Sequence, residues 1–212
     1  MMASRDILCR VGRRSRLNER KSAQRGKFVA DTQLKGVCLL SVYRFLREAG
    51  ILESTLAKLE EPHATALSGV VSAGWYPQDS FVVLLEKIHE DPRYRDPEAF
   101  YRLGRRVVNE GLNSFYKALA MLVSPAVAVK RAPRLWGMYT QNSTMTIVTS
   151  SKGHASGYIV KSGRTIRILC RFLMGGFAEP IHLAGGKNVV VTHPRCRLEG
   201  HEHCFFEMRW DE

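Results

Sequence analysis

Residues 164–210 read RTIRILCRFLMGGFAEPIHLAGGKNVVVTHPRCRLEGHEHCFFEMRW. Ile166, Leu169, Leu173 and Phe177 recur at helical spacing with Cys170 in the same stripe, and Arg164, Arg167 and Arg171 fall on the opposite side. This pattern predicts an amphipathic helix with a break at Gly175-Gly176, a pair that permits close packing or a bend. Gly185-Gly186 then turns the chain into a strand over 187–193. In the last strand Cys204, Phe206, Met208 and Trp210 alternate with Phe205, Glu207 and Arg209, so the first set points inward. His193 shares a strand face with Val189 and Val191, and the turn between the two strands presents Cys196. A helix laid against an antiparallel hairpin follows.

Upstream, the β-branched run STMTIVTS, the turn Ser151-Lys152-Gly153 and the run HASGYIV read as a second hairpin. Everything before Asn142 is helical in character. Cys38, Leu39, Val42, Phe45, Leu46 and Ala49 predict a helix over 36–49 that stops at Gly50. A short helix over 53–61 and an irregular stretch over 62–74 follow. Trp75-Tyr76-Pro77 leads into a helix capped by Asp79 or Ser80, with Phe81, Leu84, Leu85 and Ile88 as its stripe. Asp96-Pro97 opens another helix, faced by Phe100, Gly104, Val107 and Val108 and bending near Gly111. Leu112, Phe115, Tyr116, Leu119 and Leu122 extend a helical stripe. Ser124-Pro125 starts a helix that Pro133 should kink or divide. The fold class is α+β: a helical N-terminal two-thirds packed on a small antiparallel sheet formed by the C-terminal third.

A chain of 212 residues, 45% of them hydrophobic, can bury a single core. No apolar run reaches the ~18–20 residues of a membrane span, and the N-terminus lacks the apolar core of a secretory signal. An odd set of five cysteines argues for reduced thiols and a cytoplasmic protein. The net charge is +12, and residues 1–27 hold nine Lys/Arg against Asp6 and Glu19. That concentration assigns the basicity to a disordered tail over 1–27, followed by one domain over 28–212. Such a tail binds nucleic acid or an anionic surface by counterion release, or is simply a solvated extension.

His193, Cys196 and Cys204 form H-x2-C-x7-C, and Cys170 lies 26 residues before Cys196. Hairpin and helix can bring these four together as a closed tetrahedral zinc site, structural because no coordination position stays open. The alternative is that the cysteines are small buried hydrophobes. Trp136, Tyr139, Tyr158, Phe172 and Phe177 can line an apolar pocket for a small aromatic or lipid-like ligand, or fill the core. The glycine pairs lack the strand–loop–helix setting of a phosphate cradle. Ser151 and His154 form no triad, and no pair of catalytic carboxylates stands out. Neither a helix-turn-helix nor an aromatic RNA-binding platform is evident.

Over 144–210, with CRFLMGGFAEPIHLAGGKNVVV, THPRC and FFEMRW as its carriers, the chain resembles the C-terminal half of 4-vinyl reductase domains. These belong to the superfamily of ligand-binding domains in nitric-oxide signalling and Golgi transport. The resemblance implies a helical layer against an antiparallel sheet, and a homodimer. In aromatic-sensing members a helix cysteine, a carboxylate and two hairpin cysteines hold structural zinc. Cys170, Cys196 and Cys204 match the cysteine positions, and His193 stands where the family has the glutamate. KGVCLLSVYRFLREAG at 35–50, GWYP at 74–77 and YRLGRR at 101–106 are similar to a paralogous myxobacterial family with this fold, which carries no transferable function. The resulting expectation is a non-enzymatic ligand-binding or sensory module with a zinc clip. One alternative is a scaffold or assembly subunit whose pocket is filled by side chains. Another is a nucleic-acid or anionic-surface binder acting through residues 1–27.

Overall fold

The computed structural model describes residues 31–112, 118, 121–160 and 163–212. The tail over 1–27 lies outside them, as do Phe115, Tyr116 and Leu119 of the stripe after Gly111. β1 (Gln33–Lys35) leads into α1 (Gly36–Glu48), whose Leu39, Val42 and Leu46 are wholly buried on one face. Gly50 ends that helix region with a φ of 68°. Two short helices, α2 (Leu52–Leu56) and α3 (His63–Ala66), precede β2 (Trp75–Pro77) and α4 (Gln78–His89). α5 (Pro97–Gly111) starts as its sequence dictates: the Asp96 carboxylate accepts from the Glu98 N–H, and Pro97 occupies the first turn. Then come α6 (Pro125–Tyr139), β3 (Thr140–Gln141), β4 (Thr144–Ser151) and β5 (His154–Val160). α7 (Arg167–Leu183), β6 (Lys187–Arg195) and β7 (Cys204–Asp211) complete the chain.

The class is α+β. The C-terminal third forms a four-stranded antiparallel sheet in the order β4-β5-β7-β6. Its inner face buries Ala155, Ile159, Cys204, Phe206, Met208 and Trp210 together with Cys170, Ala178 and Ile181 of α7. A second core joins α1, α4 and α5 through Leu39, Val42, Leu46, Phe81, Leu85 and Phe100. α5 and α7 cross with their backbones in contact. A Cβ on Gly104 would overlap the Phe172 carbonyl oxygen, and one on Gly175 would overlap the Tyr101 carbonyl oxygen. Polar clamps flank this crossing. The buried Glu179 accepts from Arg105 Nε and Asn109 Nδ2, each at 2.7 Å, and Arg171 reaches Glu98 at 2.9 Å.

Several expectations change. A small sheet, ordered β2-β1-β3, sits among the helices. Its strands have two or three residues, too few to display alternation. The α4 helix begins at Gln78 behind Pro77, so Asp79 complements the first-turn dipole instead of capping it. The helix expected over 53–61 ends at Leu56, and the stretch expected to be irregular contains α3. Gly175-Gly176 does not break α7, because packing against α5 requires the bare backbone there and holds the helix through it. Pro133 does not divide α6. It removes one N–H from the ladder, and the helix continues to Tyr139 against β4. Leu122 is exposed, whereas Leu112 is buried.

Candidate functional site

An apolar cavity of about 160 Å³ lies between α5, α6 and α7. Their periodicity places it: the inward residues of three amphipathic helices converge where none has a partner side chain long enough to fill the gap. Trp136 and Tyr139 enter from α6, and Phe172 and Phe177 from α7. The fifth aromatic expected there, Tyr158, does not line it. Tyr158 stacks on His203 with centroids 5.1 Å apart, and its strand neighbour Ile159 takes the buried side. Leu34, Cys38, Gln78, Leu135 and Met145 also line the cavity and were not anticipated. Cys38 stood on an apolar helix stripe, which was its only signal.

The polar groups of the lining are already engaged. Tyr139 donates its hydroxyl to the Gly111 carbonyl at 2.9 Å, and Thr140 Oγ1 donates to the Trp136 carbonyl at 2.9 Å. Trp136 Nε1 donates to Ser143 Oγ at 3.2 Å, and Gln78 Nε2 to the Arg164 carbonyl at 3.3 Å. Burial pushes the Cys38 thiol up to about 12, so it stays protonated. A ligand with many polar atoms would lose its water here and gain few hydrogen bonds in return.

The second constellation lies at the turn end of the β6–β7 hairpin. Cys170, His193, Cys196 and Cys204 each offer a donor atom, and all four atoms lie within 4.8 Å of one another. The α7 stripe turns Cys170 to the sheet, and the inward parity of β7 turns Cys204 to meet it. Cys196 caps the short 3-10 turn that closes the hairpin. The Cys170 and Cys196 sulfurs are 3.9 Å apart, close to the ~3.8 Å edge of a tetrahedron with zinc–sulfur bonds near 2.3 Å. The His193 ring lies flat on Phe206, with centroids 4.4 Å apart. His193 Nε2 is buried without a hydrogen-bond partner, a costly state for a polar atom. A hydrogen bond from the Cys170 thiol and another from His193 hold Cys204 down to about 4, against the opposing effect of burial. Hydrogen bonding to Cys204 and burial push the Cys170 thiol up, and burial raises Cys196. Three cysteine sulfurs and an imidazole, the donor types of a closed tetrahedral metal site, thus converge.

The sequence matches no protein-family model and no curated protein. Its fold is similar to those of solved H-NOX proteins. The unliganded Fe(II) H-NOX protein from K. algicida superposes with a TM-score of 0.64 at 12% identity, covering 84% of this chain and 97% of that one. The S. oneidensis H-NOX protein in its Fe(II)NO state gives 0.54 at 16% identity, covering 84% and 100%. At these identities the similarity is one of fold.

Proposed function

We propose that the chain is a non-enzymatic module that binds a small, uncharged, apolar molecule, with a structural zinc ion closing its C-terminal hairpin. The cavity carries this reading. At about 160 Å³ it matches the size of an engineered cavity of roughly 150 Å³ that admits benzene. Its lining is aromatic and aliphatic, and its hydrogen-bond donors are spent on protein acceptors. Cys170, His193, Cys196 and Cys204 would hold the zinc. A site with four protein ligands supplies no activated water, so the metal's work is cross-linking α7 to the hairpin.

The H-NOX relatives in fold bring haem into question, since iron(II) states and haem distortion are described for them. The residues here do not fit haem. All seven histidines of the chain fall among the described residues, and none lines the cavity. Among the described residues the Tyr139 hydroxyl is committed and Cys38 and Met145 are the axial donors that remain, but a cavity of about 160 Å³ is well below the ~300–1,000 Å³ of pockets that hold larger ligands. Among the described residues no Lys or Arg lines the cavity to pair with propionates. Haemin added to the purified protein should give no shifted Soret band. A stoichiometric haem complex would overturn the apolar-ligand reading.

Ligand binding is read most directly by melting temperature in a screen of single-ring aromatics and short aliphatic chains. Saturation at one hundred times Kd should stabilise the fold by about 2.7 kcal/mol. Ala132→Phe, which fills the cavity from α6, should abolish that shift and leave the unliganded protein as stable or slightly more so. A variant that still responds to ligand would place binding elsewhere.

A further inference from the structure

The basicity is not confined to the N-terminal segment. From Gly111 to Ala178 the chain has nine Lys/Arg and no Asp or Glu. Within that stretch α6 has two unlike faces. Its inner face lines the cavity. On its outer face Lys130, Arg131 and Arg134 are exposed, and none makes an ion pair or hydrogen bond among the described residues. Val127 and Met138 are exposed at either end of the same face, because eleven residues make close to three full turns. Met121 and Leu122, just before the helix, are 71% and 81% exposed. Large side chains left in water to that degree mark an interaction surface, since folding gains nothing from them there.

We propose that the outer face of α6, with Met121 and Leu122, docks the protein on an anionic lipid bilayer. A row of cations with apolar side chains at its ends has the composition of a helix lying in the headgroup plane. The cations meet anionic headgroups, and Met121, Leu122, Val127 and Met138 enter the acyl boundary. A nucleic acid would use the same charges but offers no acyl layer to take these four apolar side chains. The mode is peripheral: among the described residues no helix is long and apolar enough to cross a membrane. The outer face of α6 carries these groups whether or not the cavity is filled.

The test is co-sedimentation of the full chain with phosphatidylcholine vesicles, with and without about one-third phosphatidylglycerol. The chain should bind the anionic vesicles, and raising salt to about 0.5 M should release it as screening shortens to a few ångström. The triple variant K130Q/R131Q/R134Q keeps the N-terminal charges and should lose on the order of 100-fold in partitioning, at roughly 1 kcal/mol per charge. The double variant M121S/L122S should lose several-fold with no change in charge. Both should melt like the parent, because the side chains involved are exposed. Unchanged vesicle binding by the triple variant would refute the proposal. So would single-stranded oligonucleotide binding that the triple variant loses while vesicle binding stays intact.

Discussion

Gly175→Leu abolishes the folded state. Gly175 lies where α7 meets the Tyr101 carbonyl of α5, and even a methyl group would overlap that oxygen. The obstacle is backbone, so no rotamer change relieves it, and the helices must move apart. Separation would open the Gly104 contact with Phe172 and pull Glu179 from Arg105 and Asn109, leaving a buried carboxylate unpaired. Overpacking costs about 1–3 kcal/mol, and an orphaned buried charge adds about 3–5 kcal/mol. Together these rival the ~5–15 kcal/mol that holds a domain together. Gly175→Ala should fold with a clearly lowered melting temperature. Gly137 of α6 is the control, since nothing lies within 4 Å of where its Cβ would go. Gly137→Ala should stabilise by about 0.5–1 kcal/mol. A Gly175→Leu protein that melts near the parent would show that the helices cross with room to spare.

The second large effect is metal loss. Protein prepared under reducing, zinc-replete conditions should carry one zinc per chain, and Cys196→Ser should carry none. Cys38→Ser should keep its zinc, because Cys38 lines the cavity and is absent from the four-residue cluster. Structural zinc in small folded peptides is worth ~10–16 kcal/mol at neutral pH. In a domain whose other core lies among α1, α4 and α5, the loss should lower melting strongly without unfolding the chain. Amide exchange should rise first between His193 and Phe206. The pH dependence has a definite sign. Cys170 and Cys196 are raised, so both bind metal only by losing protons. Zinc uptake should therefore release protons, and apparent affinity should fall as pH falls. His193→Ala tests the fourth ligand: unchanged affinity would remove His193 from the site. Metal-free protein from a zinc-replete preparation would return all four side chains to the core.

The cysteine cluster was legible because each member obeys a local period. Cys170 shares the apolar stripe of a helix, and Cys204 shares the inward parity of β7 with Phe206, Met208 and Trp210. Parity also explains the misplaced aromatic. Ile159 pairs with Cys204 and Tyr158 with Phe205, so the register that sends Ile159 and Cys204 inward sends Tyr158 outward. The cavity was half legible. Large residues on α6 and α7 announced themselves, whereas Leu34 and Gln78 arrive from about a hundred residues earlier through β1 and the start of α4. Long-range approach of that kind leaves no mark in local spacing. The continuity of α7 was hidden for a related reason. The glycine pair permits close packing or a bend, and only the neighbouring helix decides for packing.

That crossing also sets the mechanics of the cavity. Two helices seated backbone on backbone, and pinned on either side by charged groups, behave as one stiff beam. They have no soft side-chain layer to compress and no freedom to roll. α5 and α7 supply one wall of the cavity. α6, which carries Pro133 within it and rests on the edge strand β4, supplies another, and β1, α1, α4 and β4 also contribute. A guest larger than the cavity should therefore displace α6, whose outer surface bears Lys130, Arg131 and Arg134, before it separates α5 from α7.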